Sequence, residues 1–404
     1  MISTLFPYIL DWLDLIVRWI HIIVGIAWIG TSFYFNWLDS RLDRSITKDD
    51  IEGELWSVHS GGFYNINKLK GPPKKFPKEL HWFKWEAYTT WIRGFTLLII
   101  VYYLNAESLM IDKNVNNIST SIAIIISLIF LLGSWFLYDF LCKSKLIENT
   151  QLFTFICFIL AVFFSYILTN IYGSRAAYIH IGAALGTIMA ANGFRVIIPS
   201  QKNMVNAALN NKLPDLNQGI SAKTRSIHNN YITLPVLFIM ISSHYPFTYG
   251  HKYNWLILAI ISIIGALVRH YFNLRNKKQY KPWILPVAAI GMILLMFYTS
   301  IPKIITTSKN QNKINDQISF TEIQNIIKYR CGVCHVSKPT FEGFEDPPLG
   351  VAFDNTDDII KHLNKIKAQS IDSDIMPPGN LTGMTINERE KIKNWIIQGA
   401  NINN

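Results

Sequence analysis

Long apolar stretches separated by polar connections run through residues 1–303, and the pattern then changes. Eight stretches of roughly 20 mostly apolar residues, the length needed to cross a bilayer as a helix, centre near Ile23, Leu98, Ile129, Ile159, Leu185, Phe238, Ile261 and Ile290. Residues 304–318 are polar and rich in Asn and Lys, which reads as a linker. From Ser319 onward the pattern is that of a small helical unit. Ser319 with Glu322 and Thr385 with Glu388 have capping-box spacing, and Gly399 stands near a helix stop. The expected fold is all-α: an eight-helix transmembrane bundle over 1–303, a linker over 304–318 and a small C-terminal domain over 319–404.

Composition agrees with a membrane chain. Half the residues are hydrophobic and 16% are charged, too few charges for an ordinary soluble protein. The net charge of +11 does not read as nucleic-acid binding, because the basic residues lie between apolar runs and form no compact basic domain. They are also unevenly placed. Connections after stretches one, three, five and seven hold nineteen Lys and Arg, whereas the alternate connections hold three, Lys113, Arg175 and Lys252. The positive-inside rule puts the first set in the cytoplasm. With eight spans, both termini then lie outside, in the periplasm of a bacterial inner membrane. The N-terminus carries Asp11 and Asp14 but no basic residue before Arg18, so it does not read as a cleavable signal.

The C-terminal unit carries CGVCH at residues 331–335. Two thiols at this spacing can bond the two vinyl carbons of a porphyrin, and the adjacent His335 can then offer its imidazole to the iron, so Cys331, Cys334 and His335 read as an attachment site for one covalent haem c. Met376, in DIMPPGN, is the expected distal ligand, presented by a proline-stiffened loop. A His/Met pair raises the reduction potential, as an electron acceptor requires. The fallback ligands are His362, which otherwise reads as solvent-facing, and Met384, which otherwise reads as packing. The competing reading of the motif is a zinc or dithiol site. Cys142 and Cys157, at the end of one apolar run and inside another, read as inert buried thiols.

Ionisable residues within spans are functional candidates. His21 and His180 sit at matched depth in the first and fifth stretches, each followed by glycines (Gly25 and Gly30; Gly182 and Gly186) that permit close helix contact or make room for a flat macrocycle. Two such imidazoles suit a haem b in the membrane domain; hydrogen bonding across helices is the plainer alternative. His244 and His251 are alternative ligands. His228 and His270 lie at the cytoplasmic ends of spans six and seven, where interfacial capping competes with a site. Arg18, Arg93, Arg195 and Arg269 read first as snorkelling side chains, although Arg93 and Arg195 are placed to receive an anion. The connection 39–88 is long and aromatic-rich, which argues against disorder and for function; its lysines suit anionic lipid heads.

The stretches WIHIIVGIAWIGTSFYFNWLD (19–39), WSVHSGGFY (56–64), HIGAALGTIMAANGFRVIIPSQ (180–201), RSIHNNYITLPVLFIMISSHYP (225–246) and the tail CGVCHVSKPTFEGFEDPPLGV with IMPPGN resemble the membrane-bound urate oxidases fused to a cytochrome c, the cytochrome-c-linked urate hydroxylases. The resemblance covers nearly the whole chain. It implies oxidation of urate to 5-hydroxyisourate, with electrons passing to haem c rather than to dioxygen and then to a soluble or membrane cytochrome or a terminal oxidase. It also relates the membrane part to a wider group of helical bundles in which a first-helix histidine is a candidate haem ligand, which strengthens His21.

Under this reading urate docks among cationic and aromatic side chains, and a histidine takes a ring proton. His59, Arg93, His228 and Asn229 are the expected catalytic residues, grouped on the cytoplasmic side by topology; an outer site near His21 is the alternative. Two other classes of function compete. One is a membrane cytochrome subunit that oxidises quinol. The other is a haem or copper carrier with a cytochrome sensor, which the covalent haem disfavours.

Overall fold

The structure is a computed structural model that describes residues 2–45, 50–311, 318–341, 346–373 and 375–402. Helices account for most of it. α1 (Ile2–Arg41) is followed by a hairpin of β1 (Ile51–His59) and β2 (Gly62–Leu69). Next come α2 (Trp85–Leu97), which opens into a π-helical turn over Leu98–Tyr103, and the short α3 (Ala106–Leu109). α4 (Thr120–Lys143) and α5 (Thr150–Thr169) form an antiparallel pair. α6 (Ser174–Ala191) widens into a second π turn over Asn192–Ile197 and continues as α7 (Ile198–Leu209). α8 (Leu216–Ser242), α9 (Pro246–Tyr249), α10 (Asn254–Asn276) and α11 (Ile284–Gln311) complete this part.

Each of the eight expected centres falls within one of these helical segments. Among the described residues, five helices are long and apolar enough to cross a membrane: Ile9–Arg41, Thr120–Lys143, Thr150–Thr169, Ser174–Leu209 and Asn254–Asn276. α8 falls short of that apolarity for a physical reason. Its first half carries Arg225, Asn229 and Asn230, which are buried inside the bundle and need polar partners there. The outward faces are greasy instead: Trp12, Trp19 and Ile26 on α1, Ile129 and Phe140 on α4, and Ile290 and Leu294 on α11 are all exposed. Apolar side chains outside and polar ones inside is the arrangement that lipid favours.

Side-chain caps set several helix starts. Ser119 accepts from the Ile122 amide, Asn149 from that of Leu152, and Asp215 from that of Asn217, satisfying donors that the first helical turn leaves open. α6 is the central helix, and its small residues let neighbours close in. A Cβ at Gly182 would stand 2.5 Å from the Ile239 side chain of α8. The main core lies around it: Leu98, Tyr102, Met110, Tyr172, Tyr178, Ile239, Tyr249 and Leu258 are buried together.

The chain is mostly α-helical, as expected, with one hairpin added among the described residues. Ser60 and Gly61 both adopt positive φ (48° and 76°), the geometry of a tight two-residue connection whose twist matches the strands. The ribbon is anchored at its base. Asp43 pairs with Glu54 through backbone hydrogen bonds of 2.8 and 3.1 Å, and Lys68 reaches Asp39 at 2.6 Å. Its tip is open, with Trp56, Val58 and Phe63 exposed.

α11 is helical through Gln311, so the first part of the expected linker continues the helix; residues 312–317 lie outside the described residues. The C-terminal module then comprises α12 (Phe320–Arg330), α13 (Thr356–Lys361), α14 (Leu363–Ile366) and α15 (Ile386–Ile397). Its own core joins Ile323, Ile327, Ile359, Met384, Ile392 and Trp395. Thr385 and Glu388 form the full reciprocal box at the start of α15. At α12 the box is incomplete: Ser319 caps through the Thr321 amide, and Glu322 turns away to pair with Lys391.

Candidate functional site

Three groups of polar side chains stand out, and the first lies at the hairpin end of the bundle. Arg225 donates to Asp139 at 2.7 Å and to the Asn192 side-chain oxygen at 3.1 Å. Asn192 in turn donates to Asn229 at 2.9 Å and to the Tyr138 hydroxyl at 3.3 Å. Asn229 donates to the Met189 carbonyl at 2.9 Å. His228 Nδ1 lies 2.8 Å from the Tyr138 hydroxyl, and its ring stacks on Phe153 at 4.9 Å. Lys143 meets the second oxygen of Asp139 at 2.6 Å. The π turn of α6 places Asn192 at the centre. A π turn inserts a residue into a helix and re-aims a side chain, and such turns are frequent at functional sites.

Of the four residues expected to form a catalytic group, the structure joins two. His228 and Asn229 belong to this network. Arg93 sits on α2 outside it, half-buried, with an Nε that has no partner. His59 closes β1, exposed beside the hairpin turn. Tyr138, Asp139, Asn192 and Arg225 are the members that sequence reasoning missed. Asp139 could have been found, since an acid inside an apolar run needs a cationic partner.

The second group lies at the opposite end, beside the π turn of α2. His180 is fully buried. Its Nδ1 lies 2.7 Å from the Ala176 carbonyl, so Nδ1 carries the proton and donates, and the bare Nε2 has no partner. Tyr172 stacks against the ring at 4.8 Å and Tyr102 meets it edge-on at 6.1 Å. Arg175, in the first turn of α6, has an Nε with no partner. His21 has neighbours of its own. Its Nδ1 lies 2.9 Å from the Thr90 carbonyl, and its ring rests where a Cβ on Gly94 would stand 3.0 Å away. Both histidines thus have the tautomer that leaves Nε2 available to a metal, but each ring packs in a different setting. His270 pairs with Tyr231 at 2.7 Å, and His251 Nδ1 accepts from the Tyr253 amide.

The third group is the turn after α12. The Cys331 and Gly332 amides both donate to the Ile327 carbonyl, and the His335 amide donates to that of Cys331 at 2.9 Å. A Cβ at position 332 would collide with the Lys328 carbonyl oxygen at 2.5 Å, so the tight turn requires glycine between the cysteines. His335 Nδ1 donates to the Val351 carbonyl at 2.8 Å, which fixes the ring and leaves Nε2 as the donor to a metal. Both thiols are free, and burial pushes that of Cys331 up to about 12. Among the described residues no three His, Cys, Asp or Glu side chains converge as ligands of a single metal ion would. The Met376 amide donates to Gln369 at 2.9 Å, and its carbonyl accepts from Arg389. Met384 is buried in the module's core, and His362 sits at the end of α13.

Fold and site together define a predominantly helical protein whose longest helices suit a membrane and whose buried histidines present bare nitrogens. The family model described as urate oxidase N-terminal matches residues 7–300, and the chain belongs to that family. The family ties the chain to a urate-related oxidoreductase function. No curated protein and no solved structure matches the chain.

Proposed function

We propose that the protein is a membrane oxidoreductase that converts urate to 5-hydroxyisourate and delivers the electrons to a haem c held by Cys331, Cys334, His335 and Met376. The balance is urate plus water giving 5-hydroxyisourate, two protons and two electrons. The observation that carries the reading is one chain joining the urate oxidase family region, 7–300, to a CGVCH turn whose His335 Nε2 is left free. Haem c, when bound, supplies a one-electron acceptor, which an external cytochrome or oxidase re-oxidises between steps.

The chain's own residues have separable tasks. His228 is the base. With its Nδ1–H donating to Tyr138, Nε2 is free to take a proton from the purine ring. The same Tyr138 hydroxyl oxygen accepts from Asn192. Arg225 and Asp139 hold the network together, and Asn229 offers amide polarity to the ring. Arg93, with its unpartnered Nε, receives the urate anion; His59, at the exposed tip of the hairpin, has no part in the network. At the opposite end, His180 offers the bare Nε2 that a haem b requires, with His21 as the second candidate ligand. Eight spans and both termini in the periplasm put the network in the cytoplasmic half and the C-terminal module outside.

A reduced-minus-oxidised spectrum of the purified protein, before and after urate, is the test. Urate should produce the reduced bands of a c-type haem under anaerobic conditions. Reduction by a quinol analogue alone would replace this reading with the quinol-oxidising one.

A further inference from the structure

The C-terminal module does not only follow α11 in the chain; it is seated on the bundle. Its Pro378–Asn380 turn rests on α3, its Lys367–Ile371 turn on α9, and α15 touches α11. Three contacts are close. Ile375 packs into the bundle core that contains Met110, Tyr172 and Tyr249. Gly379, at φ +53°, lies so near α3 that a Cβ there would stand 2.5 Å from the Ile111 carbonyl oxygen and 3.1 Å from that of Glu107. Gly250, after α9, faces Ser373 so tightly that a Cβ would overlap the serine's own. Met376 lies between these anchors in the chain, and within the core that Ile375 meets the ring of Tyr172 stacks on His180.

We infer that the bundle holds the C-terminal module by the loop that carries Met376, and that electrons leave the bundle across this one fixed contact rather than by a swinging tether. Gly379 and Gly250 are then positioning residues for that transfer. The inference rests on the reading that the module carries haem c. Its physical basis is close packing: a side chain at position 379 meets backbone carbonyls, which cannot rotate away. Tunnelling falls off steeply with gap, so a small separation at this contact slows transfer without touching the ligands.

The test compares Gly379→Ala with Gly383→Ala in the full-length, haem-loaded protein. Gly383 shares the left-handed backbone at φ +65°, but its nearest neighbour is Arg330 of the same module at 3.8 Å. In Gly379→Ala, amide hydrogens of residues 105–112 should exchange at least tenfold faster, and urate-driven haem reduction should slow at least tenfold. Its haem spectrum and its reduction by ascorbate should match those of the unsubstituted protein. Gly383→Ala should alter neither exchange nor urate-driven reduction. Unchanged exchange and reduction in Gly379→Ala would overturn the inference, and so would equal losses in both variants. If urate fails to reduce even the unsubstituted protein, the proposed function fails, and the exchange result still decides whether the loop is seated.

Discussion

Arg389 of α15 donates to the carbonyl oxygen of Met376 at 2.9 Å and, through the same nitrogen, to that of Ser370. One guanidinium thus ties the C-terminal helix to both ends of the segment that presents the thioether. Charged hydrogen bonds of this kind contribute about 1.5–3 kcal/mol each. Arg389→Met should loosen the loop, weaken Met376 as a ligand and lower the midpoint potential of the haem, while Cys331 and Cys334 keep it attached. Redox titration checks the direction; a potential unchanged from the unsubstituted protein would remove Arg389 from this role.

The Arg225–Asp139 pair is buried, and its two members should behave asymmetrically. Removing Arg225 leaves Asp139 with Lys143 still on its second oxygen, whereas removing Asp139 leaves the buried Arg225 without a carboxylate among the described residues, an uncompensated charge that costs about 3–5 kcal/mol. Asp139→Leu alone should therefore destabilise the bundle strongly, whereas Asp139→Leu combined with Arg225→Met should recover much of the loss. Thermal unfolding in detergent distinguishes them.

His228 and Tyr138 make a second pair to separate. His228→Gln should reduce urate turnover by 10²-fold or more, the usual range for a lost general base. Tyr138→Phe should act more mildly, since it removes the group that orients the imidazole but not the imidazole itself. Equal and small effects would make this a packing network and return attention to Arg93 and His59.

Acid should weaken the C-terminal module through Glu388. Burial alone would raise its carboxyl, but the Thr385 amide and hydroxyl and the Arg330 guanidinium outweigh that and hold it below the ordinary value of 4.5. A depressed folded value stabilises the module above the unfolded value and loses that contribution as pH falls through the folded one. Hydrogen exchange of α12 and α15 should therefore accelerate below about pH 4.5, and Glu388→Gln should flatten that limb.

Much of the helical frame was legible because apolar length is a strong signal. The start of α15 was legible too, since the Thr385–Glu388 box is a local motif that needs nothing from the rest of the chain. Gly182 was readable as a point of close contact, and Ile239 fills it. The hairpin was not readable. Its strands bury no alternating face, so the period that identifies strands is missing, and only the Ser60–Gly61 turn hinted at it. The π turns at Leu98–Tyr103 and Asn192–Ile197 leave no sequence signature, yet they aim Tyr102 and Asn192. The Asp139–Arg225 bond joins residues 86 positions apart, and no local pattern announces such a partner. His228 and Asn229 fell together because they are neighbours on one helix, whereas Arg93 and His59 were grouped by topology alone, which fixes an end of the bundle but not a point within it.

Each π turn holds one residue beyond what a regular helix would use, and that surplus has an evolutionary corollary. Deleting a single residue from 98–101 would convert the turn to ordinary helix and leave its hydrogen-bond ladder whole, with the chain beyond it still in phase, because the wide turn absorbs the extra residue. Only side chains within the turn, Tyr102 among them, would be re-aimed. A one-residue gap at this place among homologues would therefore mark a branch that kept the helical frame and gave up the Tyr102 contact with His180.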